Sequence, residues 1–233
     1  MASFQVPAIG YVQSPYGEKF AVPRQSGLAP HAKSRIFFYP PYGDPEAFRG
    51  LEGFSHLFVI FVFDRARPGP FHATVRPPRL GGNERAGVFA TRSPYRPSRL
   101  GLSAVKLERI LNTEGQVSLE ISGADLTDGT PVVDIKPYIP FCDSIPDAKG
   151  GFAAARPPQL ETVLAERARA DLASLPEDAR QAVLEALSQD PRPAYQQECG
   201  GRIYGALLYG RNVRFKISGS KVLVLDAAPA EAV

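Results

Sequence analysis

The sequence predicts a mainly β chain, a barrel or strongly bent sheet followed by a small α+β domain. Three observations carry this expectation. Short β-type runs punctuated by proline and glycine fill the chain up to about residue 140, helical spacing appears only after residue 159, and no G-x-G-x-x-G turn is present to open a Rossmann unit. With 233 residues, 44% of them apolar, the chain is long enough to bury a core in one domain or two.

Strands are expected at 6–13, 34–39, 56–63, 73–76, 87–90, 102–110, 117–121 and 131–135. The run HLFVIFVF at 56–63 is continuous, too short for a helix and rich in β-branched and aromatic residues, so it reads as a strand in the middle of the sheet. His56 opens that strand and reads as a structural histidine. The Pro/Gly-rich stretch 142–158 ends in a linker, 149–158, which separates an expected first domain, 1–148, from a second, 159–233. Beyond it Leu160, Val163, Leu164 and Ala168 recur at helical spacing. Ser174 with Glu177 forms a candidate capping box before a helix carrying Ala179, Val183, Ala186 and Leu187. Strands return at 203–209, 212–218 and 221–225, with a turn at Gly219-Ser220 and a frayed alanine-rich tail after Asp226.

Charge and cysteine content exclude several classes. The absence of an eighteen-residue apolar run, or of a signal-like N-terminus, predicts a cytoplasmic protein. Two cysteines, Cys142 and Cys199, with three histidines lacking ligand spacing, predict free thiols and no structural metal. The net charge is +3, yet between Arg65 and Lys106 nine basic residues face one acid, Glu84. Between Gln159 and Asp190 seven acids face three arginines. Eight of the nine basic residues in the first stretch are arginines, which suits forked hydrogen bonding to phosphate or carboxylate and stacking on bases.

Neither a P-loop nor a G-x-S-x-G elbow is present, and GLSAV at 101–105 offers only half of one. The polar signatures fall instead at strand ends: VPRQSG at 22–27, TVRPPRLGGN at 74–83, FATRSPYRPSRLGLS at 89–103, GADLTDGTPVVDIKPYIP at 123–140 and DPRPAYQ at 190–196. The prolines hold the neighbouring arginines on extended backbone at little entropic cost. In this order and spacing the strings closely resemble the TrmO (YaeB, TsaA-like) family of tRNA methyltransferases over roughly 9–148. DPRPAY resembles that family's C-terminal extension.

The resemblance implies a non-Rossmann, β-barrel methyltransferase that uses S-adenosylmethionine. It further implies a homodimer with the cofactor near the subunit interface, and a substrate that is N6 of threonylcarbamoyladenosine beside the anticodon, chiefly in threonine tRNA. Matched position by position, it places cofactor contacts at Pro23, Arg24, Gln25, Asp64, Arg65, Arg92, Leu102, Asp125, Leu126, Thr127 and Asp128. Chemistry agrees in kind: Arg24 or Arg92 suits the methionine carboxylate, and Asp125 or Asp128 the ammonium or ribose diol. For the aspartates the competing role is turn stabilisation. Tyr95, Arg96 and Arg99 are candidates for the target nucleoside, with no catalytic base assigned. Arg76, Arg79 and Tyr195 are candidates for tRNA; the competing role is an ion pair with the chain's own acids for the two arginines and packing between domains for Tyr195. Two other classes stay open on residues alone: a cofactor- or RNA-binding module without turnover, and an enzyme acting on a small molecule.

Overall fold

Six of the expected strands close on themselves. The computed structural model describes residues 4–67, 69–192 and 201–230. Strands β1 (Gly10–Gln13), β2 (Lys33–Phe38), β3 (His56–Val62), β6 (Leu100–Thr113), β7 (Gln116–Ser122) and β8 (Pro131–Pro137) form a barrel in the order β1-β2-β7-β6-β3-β8, antiparallel throughout. A two-stranded ribbon, β4 (Thr74–Val75) with β5 (Ala86–Gly87), lies between β3 and β6 in sequence. Closure leaves no free edge and gives each barrel strand an inner and an outer face.

The continuous apolar run of β3 therefore resolves into alternation. Leu57, Val59 and Phe61 are buried, while Phe58 and Ile60 face outward and are half-covered; the Phe58 ring lies 5.3 Å from that of Tyr138. The inner residues pack with Val12, Ile36, Val105, Leu119, Ile121 and Val132 into one core. β6 is longer than its apolar pattern announced, because it turns into β7 through Glu114-Gly115, both with positive φ (53° and 81°), the geometry of a tight hairpin. β1 starts only at Gly10, and the strand expected at 87–90 is mostly a 3-10 turn, Val88–Ala90.

A second core lies beyond the short helix α1 (Pro140–Asp143). Here β9 (Glu161–Leu164), β10 (Ile203–Leu208), β11 (Arg211–Ser218) and β12 (Lys221–Pro229) form a sheet in the order β10-β11-β12-β9, covered by α2 (Glu166–Leu172) and α3 (Glu177–Ser188). Three expectations fail in this region. Leu160 to Leu164 is not helical: 161–164 pairs in parallel with β12, and four residues, Glu-Thr-Val-Leu, are too few to carry a helical periodicity that would resist that pairing. The capping box does not form, because α3 begins at Glu177 with Pro176 as its cap, and the Ser174 hydroxyl instead accepts from Arg211 Nη2 at 2.6 Å. Nor does the tail fray at Asp226, since Ala227 is fully buried and pairs with Val213. The Gly219 turn forms as expected, with φ 57°.

The β1–β2 connection does not stay with the barrel. Tyr16, Ala21, Ala29 and Ala32 are buried in the second core beside Val183, Leu187 and Phe215. Tyr16 bridges to Leu208, and Glu18 Oε1 accepts from the Leu207 amide at 3.1 Å. Residues 23–26, on this same connection, are thereby held where the two cores meet.

Candidate functional site

Polar groups from three separate segments converge on Asp125, just past the end of β7. The Ser103 hydroxyl, buried on the inner face of β6, donates to Asp125 Oδ1 at 2.5 Å. A Ser26 amide from the β1–β2 connection also donates to the carboxylate, and the Arg92 guanidinium bears on it electrostatically. Arg92 Nη1 in turn donates to Gln25 Oε1 at 2.8 Å. Burial pushes the Asp125 carboxyl above the usual carboxylate range, opposed by the Ser103 bond, the amide donors and the Arg92 charge. A carboxylate kept largely out of water, with an arginine beside it, is suited to a cationic or hydroxyl-bearing ligand.

The loop after Asp125 is held by its own network. Ser14 Oγ donates to the Leu126 carbonyl at 2.7 Å, and the Ser14 amide donates to Asp128 Oδ1 at 2.8 Å. The Thr130 hydroxyl closes the turn onto the Thr127 carbonyl at 2.7 Å. Asp128 thus spends one carboxylate oxygen holding the end of β1 rather than its own turn, whereas the Asp125 carboxylate faces the cluster of Arg92 and Gln25. Arg65 braces the same loop: Nη2 donates to the Asp128 carbonyl (2.6 Å) and Nη1 to that of Gly17 (3.2 Å), while Lys19 Nζ donates to the Arg65 carbonyl (2.6 Å).

The other expected positions are distributed around this cluster. Pro23 is buried, Asp64 is exposed in the turn after β3, and the Leu102 side chain is half exposed on the face of β6 opposite Ser103. Arg24 lies between Pro23 and Gln25, but its Nη2 donates away from Asp125, to the carbonyls of Asp190 (3.3 Å) and Arg192 (3.1 Å). Tyr95 is 61% exposed; Arg96 and Arg99 reach the carbonyls of Thr91 (3.4 Å) and Ala66 (3.5 Å). Tyr195 lies outside the described residues.

The arginine stretch is not neutralised by the fold. Among the described residues, none of Arg65, Arg67, Arg76, Arg79, Arg85, Arg92, Arg96 and Arg99 is in an ion pair, and Arg67, Arg76 and Arg79 make no side-chain hydrogen bond either. Among the described residues, then, no acid pairs with Arg76 or Arg79. In the C-terminal part the acids are paired instead, Asp171 with Arg167, Asp190 with Arg192 and Asp226 with Arg214.

Two open clefts, of about 480 and 450 Å3, lie elsewhere, along His31, Lys33 and Asp178. Lys33–Asp178, His31–Glu185 and Arg109–Glu120 pairs match most of their charged walls, while the first cleft is also lined by Arg35, in no ion pair among the described residues, and by Ser34 and Tyr209, whose buried hydroxyls have no hydrogen-bond partner. Ser103, Ser14 and Ser26 were not anticipated. For Ser103 a signal existed: it stands in phase with inward-facing Val105 on an apolar strand, where a hydroxyl needs a partner. Cys142 is a free, exposed thiol; among the described residues there is no cluster of side chains able to hold a metal ion, and no helix is long and apolar enough to cross a membrane.

Comparison with known proteins covers both cores. The family model for the tRNA-methyltransferase O N-terminal domain matches residues 11–144, and that for the TrmO C-terminal domain matches 157–230. The chain is 45% identical over 233 residues to the tRNA (adenine(37)-N6)-methyltransferase of Escherichia coli, covering 97% of this chain and 99% of that protein. It is 44% identical to a putative S-adenosylmethionine-dependent methyltransferase, RcsF, of Pseudomonas aeruginosa, over 96% and 97% of the two chains. A crystal structure of TrmO from Pseudomonas aeruginosa superimposes with a TM-score of 0.80 at 37% identity, covering 97% of this chain and 99% of that one.

Proposed function

Because the chain belongs to the tRNA-methyltransferase O family, we propose that it transfers a methyl group from S-adenosylmethionine to N6 of adenine 37 in tRNA. Its substrate on this reading is the threonylcarbamoylated nucleoside, chiefly in threonine tRNA. The observation that carries the reading is the meeting of Arg92, Gln25, Ser103 and Asp125 at the mouth of a barrel whose neighbouring arginines are left without acids.

The residues present fit the cofactor. Arg92 offers a guanidinium to its carboxylate, Asp125 a desolvated carboxylate to its ammonium or ribose diol, and the braced main chain of 126–129 donors and acceptors to its base. Bound S-adenosylmethionine supplies a methyl group made electrophilic by a sulfonium. Transfer is an in-line displacement at carbon, so the protein acts mainly by positioning. Carbamoylation weakens N6 as a nucleophile and makes its proton more acidic. Arg96 and Arg99 stabilise the charge that develops there or bind the threonyl carboxylate, while Tyr95 offers a ring for the extruded base. Arg76 and Arg79, in no ion pair among the described residues, hold tRNA phosphates.

Homodimer formation belongs to the same proposal. Phe71 and Phe89 stack at 6.4 Å yet remain 60% and 71% exposed, and Leu102 beside the site is 50% exposed, an apolar surface that suits a subunit contact. The test is direct. Incubation with S-adenosylmethionine and threonylcarbamoylated threonine tRNA is expected to add the mass of one methyl group to the modified nucleoside, and to add nothing to tRNA lacking the threonylcarbamoyl group. Absence of that product on the modified tRNA overturns the reading.

A further inference from the structure

We propose that Ser103 is a positioning residue, whose hydroxyl, fixed on the inner face of β6, holds the Asp125 carboxylate where it receives a cationic or hydroxyl-bearing group of the cofactor. This rests on the reading of the Arg92–Asp125 cluster as the cofactor site.

Strand register brings the two residues together. Between β6 and β7 Lys106 pairs with Ser122, and the same antiparallel register carried three residues further sets Ser103 opposite Asp125. The ladder itself stops at Ser122. Gly123, in the left-handed region at φ 73°, turns the chain away; its carbonyl accepts from the Gly27 amide at 2.8 Å and its amide donates to the Ala32 carbonyl at 3.0 Å, both on the β1–β2 connection. Ser103 stays anchored on its other side, paired with Val59 of β3. Side chains therefore make the link that main chain makes elsewhere along these strands, with the Ser103 hydroxyl donating to Asp125 Oδ1 at 2.5 Å.

The surroundings make that link matter. Ser103 is 3% exposed, on an inner face that also carries Leu57, Val59 and Val105, so its hydroxyl needs a partner, and a carboxylate is a strong one. Asp125 is half-buried and is not sealed into that core. Burial raises the pKa of its carboxyl, and the Ser103 bond is the strongest of the effects opposing burial, ahead of the Arg92 charge from the connection into β6. Tyr16, from the β1–β2 connection, also lies within electrostatic reach, but burial pushes its phenol up and it stays neutral. Without the Ser103 hydroxyl the Asp125 carboxyl takes up a proton at higher pH, and a neutral acid gives an ammonium no charge to pair with.

The experiment compares Ser103→Ala and Ser103→Thr with the wild-type full chain in two readouts: the Asp125 carboxyl titration, followed by carboxyl-carbon NMR without ligand, and the calorimetric Kd for S-adenosylmethionine as a function of pH. Ser103→Ala removes one buried oxygen and adds no volume, so the barrel is expected to form. In this variant the Asp125 titration should move up by about one pH unit or more, and the pH at which half of the cofactor affinity is lost on acidification should rise with it. Ser103→Thr keeps the hydroxyl on a residue favoured in strands, and is expected to follow wild type in both readouts. A structural role alone would instead weaken binding equally at every pH. An Asp125 titration unmoved in the Ala variant, a loss of affinity independent of pH, or a Thr variant that follows the Ala variant overturns the proposal. If wild type binds no S-adenosylmethionine, the cofactor reading fails, and the carboxyl titration still decides what Ser103 does for Asp125.

Discussion

Asp125→Asn separates binding from folding, because the two respond in opposite directions. In the ligand-free protein the carboxylate is desolvated, which raises its pKa above the ordinary value of 3.8. An acid whose folded pKa is raised binds more protons folded than unfolded, so its contribution to stability is complete below the unfolded pKa and is lost as pH rises through the folded value. Wherever it is ionised Asp125 therefore costs stability, and the neutral amide relieves that cost while keeping the shape and a hydrogen-bond acceptor for Ser103. Cofactor binding goes the other way. Replacing a charge-assisted hydrogen bond to an ammonium or diol removes about 1.5–3 kcal/mol, or about 10- to 150-fold in Kd. Calorimetric titration with S-adenosylmethionine and thermal unfolding, both at pH 7.5 or so, read the two effects. The wild-type Kd should also weaken as pH falls through the raised Asp125 pKa, whereas the Asn variant shows no such slope. A Tm lowered by many degrees with Kd changed less than threefold would refute the assignment and make Asp125 a purely structural residue.

Two further outcomes follow from other parts of the molecule. The double variant Arg76→Ala/Arg79→Ala should weaken tRNA binding at every salt concentration tested and lower the slope of log K against log salt by about 1 for each phosphate no longer neutralised, with cofactor Kd unchanged; an unaltered salt slope would remove both residues from the tRNA surface. Gly101→Ala should destabilise the barrel by about 1–3 kcal/mol in denaturant titration, because a Cβ there falls inside the van der Waals surface of the buried Phe61 ring on the neighbouring strand. An unchanged midpoint would mean that Phe61 has room to move.

The mainly β class was legible because period-two apolar runs and Pro/Gly punctuation are local properties. The missing glycine fingerprint steered the reading away from a Rossmann unit, and the strings from TVRPP to DIKPYIP carried the family. The unequal distribution of charge was equally legible, since counting arginines needs no coordinates. Tertiary context decided what local pattern left undetermined. Residues 161–164 became a strand because β12 offered a partner, and Ser174 lost its capping role because Pro176 stands where the helix begins.

At the site the sequence by itself determined which residue types were available, together with the strand ends at which they would sit. Only the tertiary structure decided how their side chains divide the work, because hydrogen-bond partners here lie far apart in the chain. Ser103 meets Asp125 across 22 positions, Arg92 meets Gln25 across 67, and Arg24 meets Arg192 across 168. Arg24 and Arg92 were indistinguishable as guanidiniums in a sequence. Barrel closure and the excursion of the β1–β2 connection into the second core direct one to a C-terminal turn and the other to Asp125, and that placement is a property of the whole fold rather than of either motif.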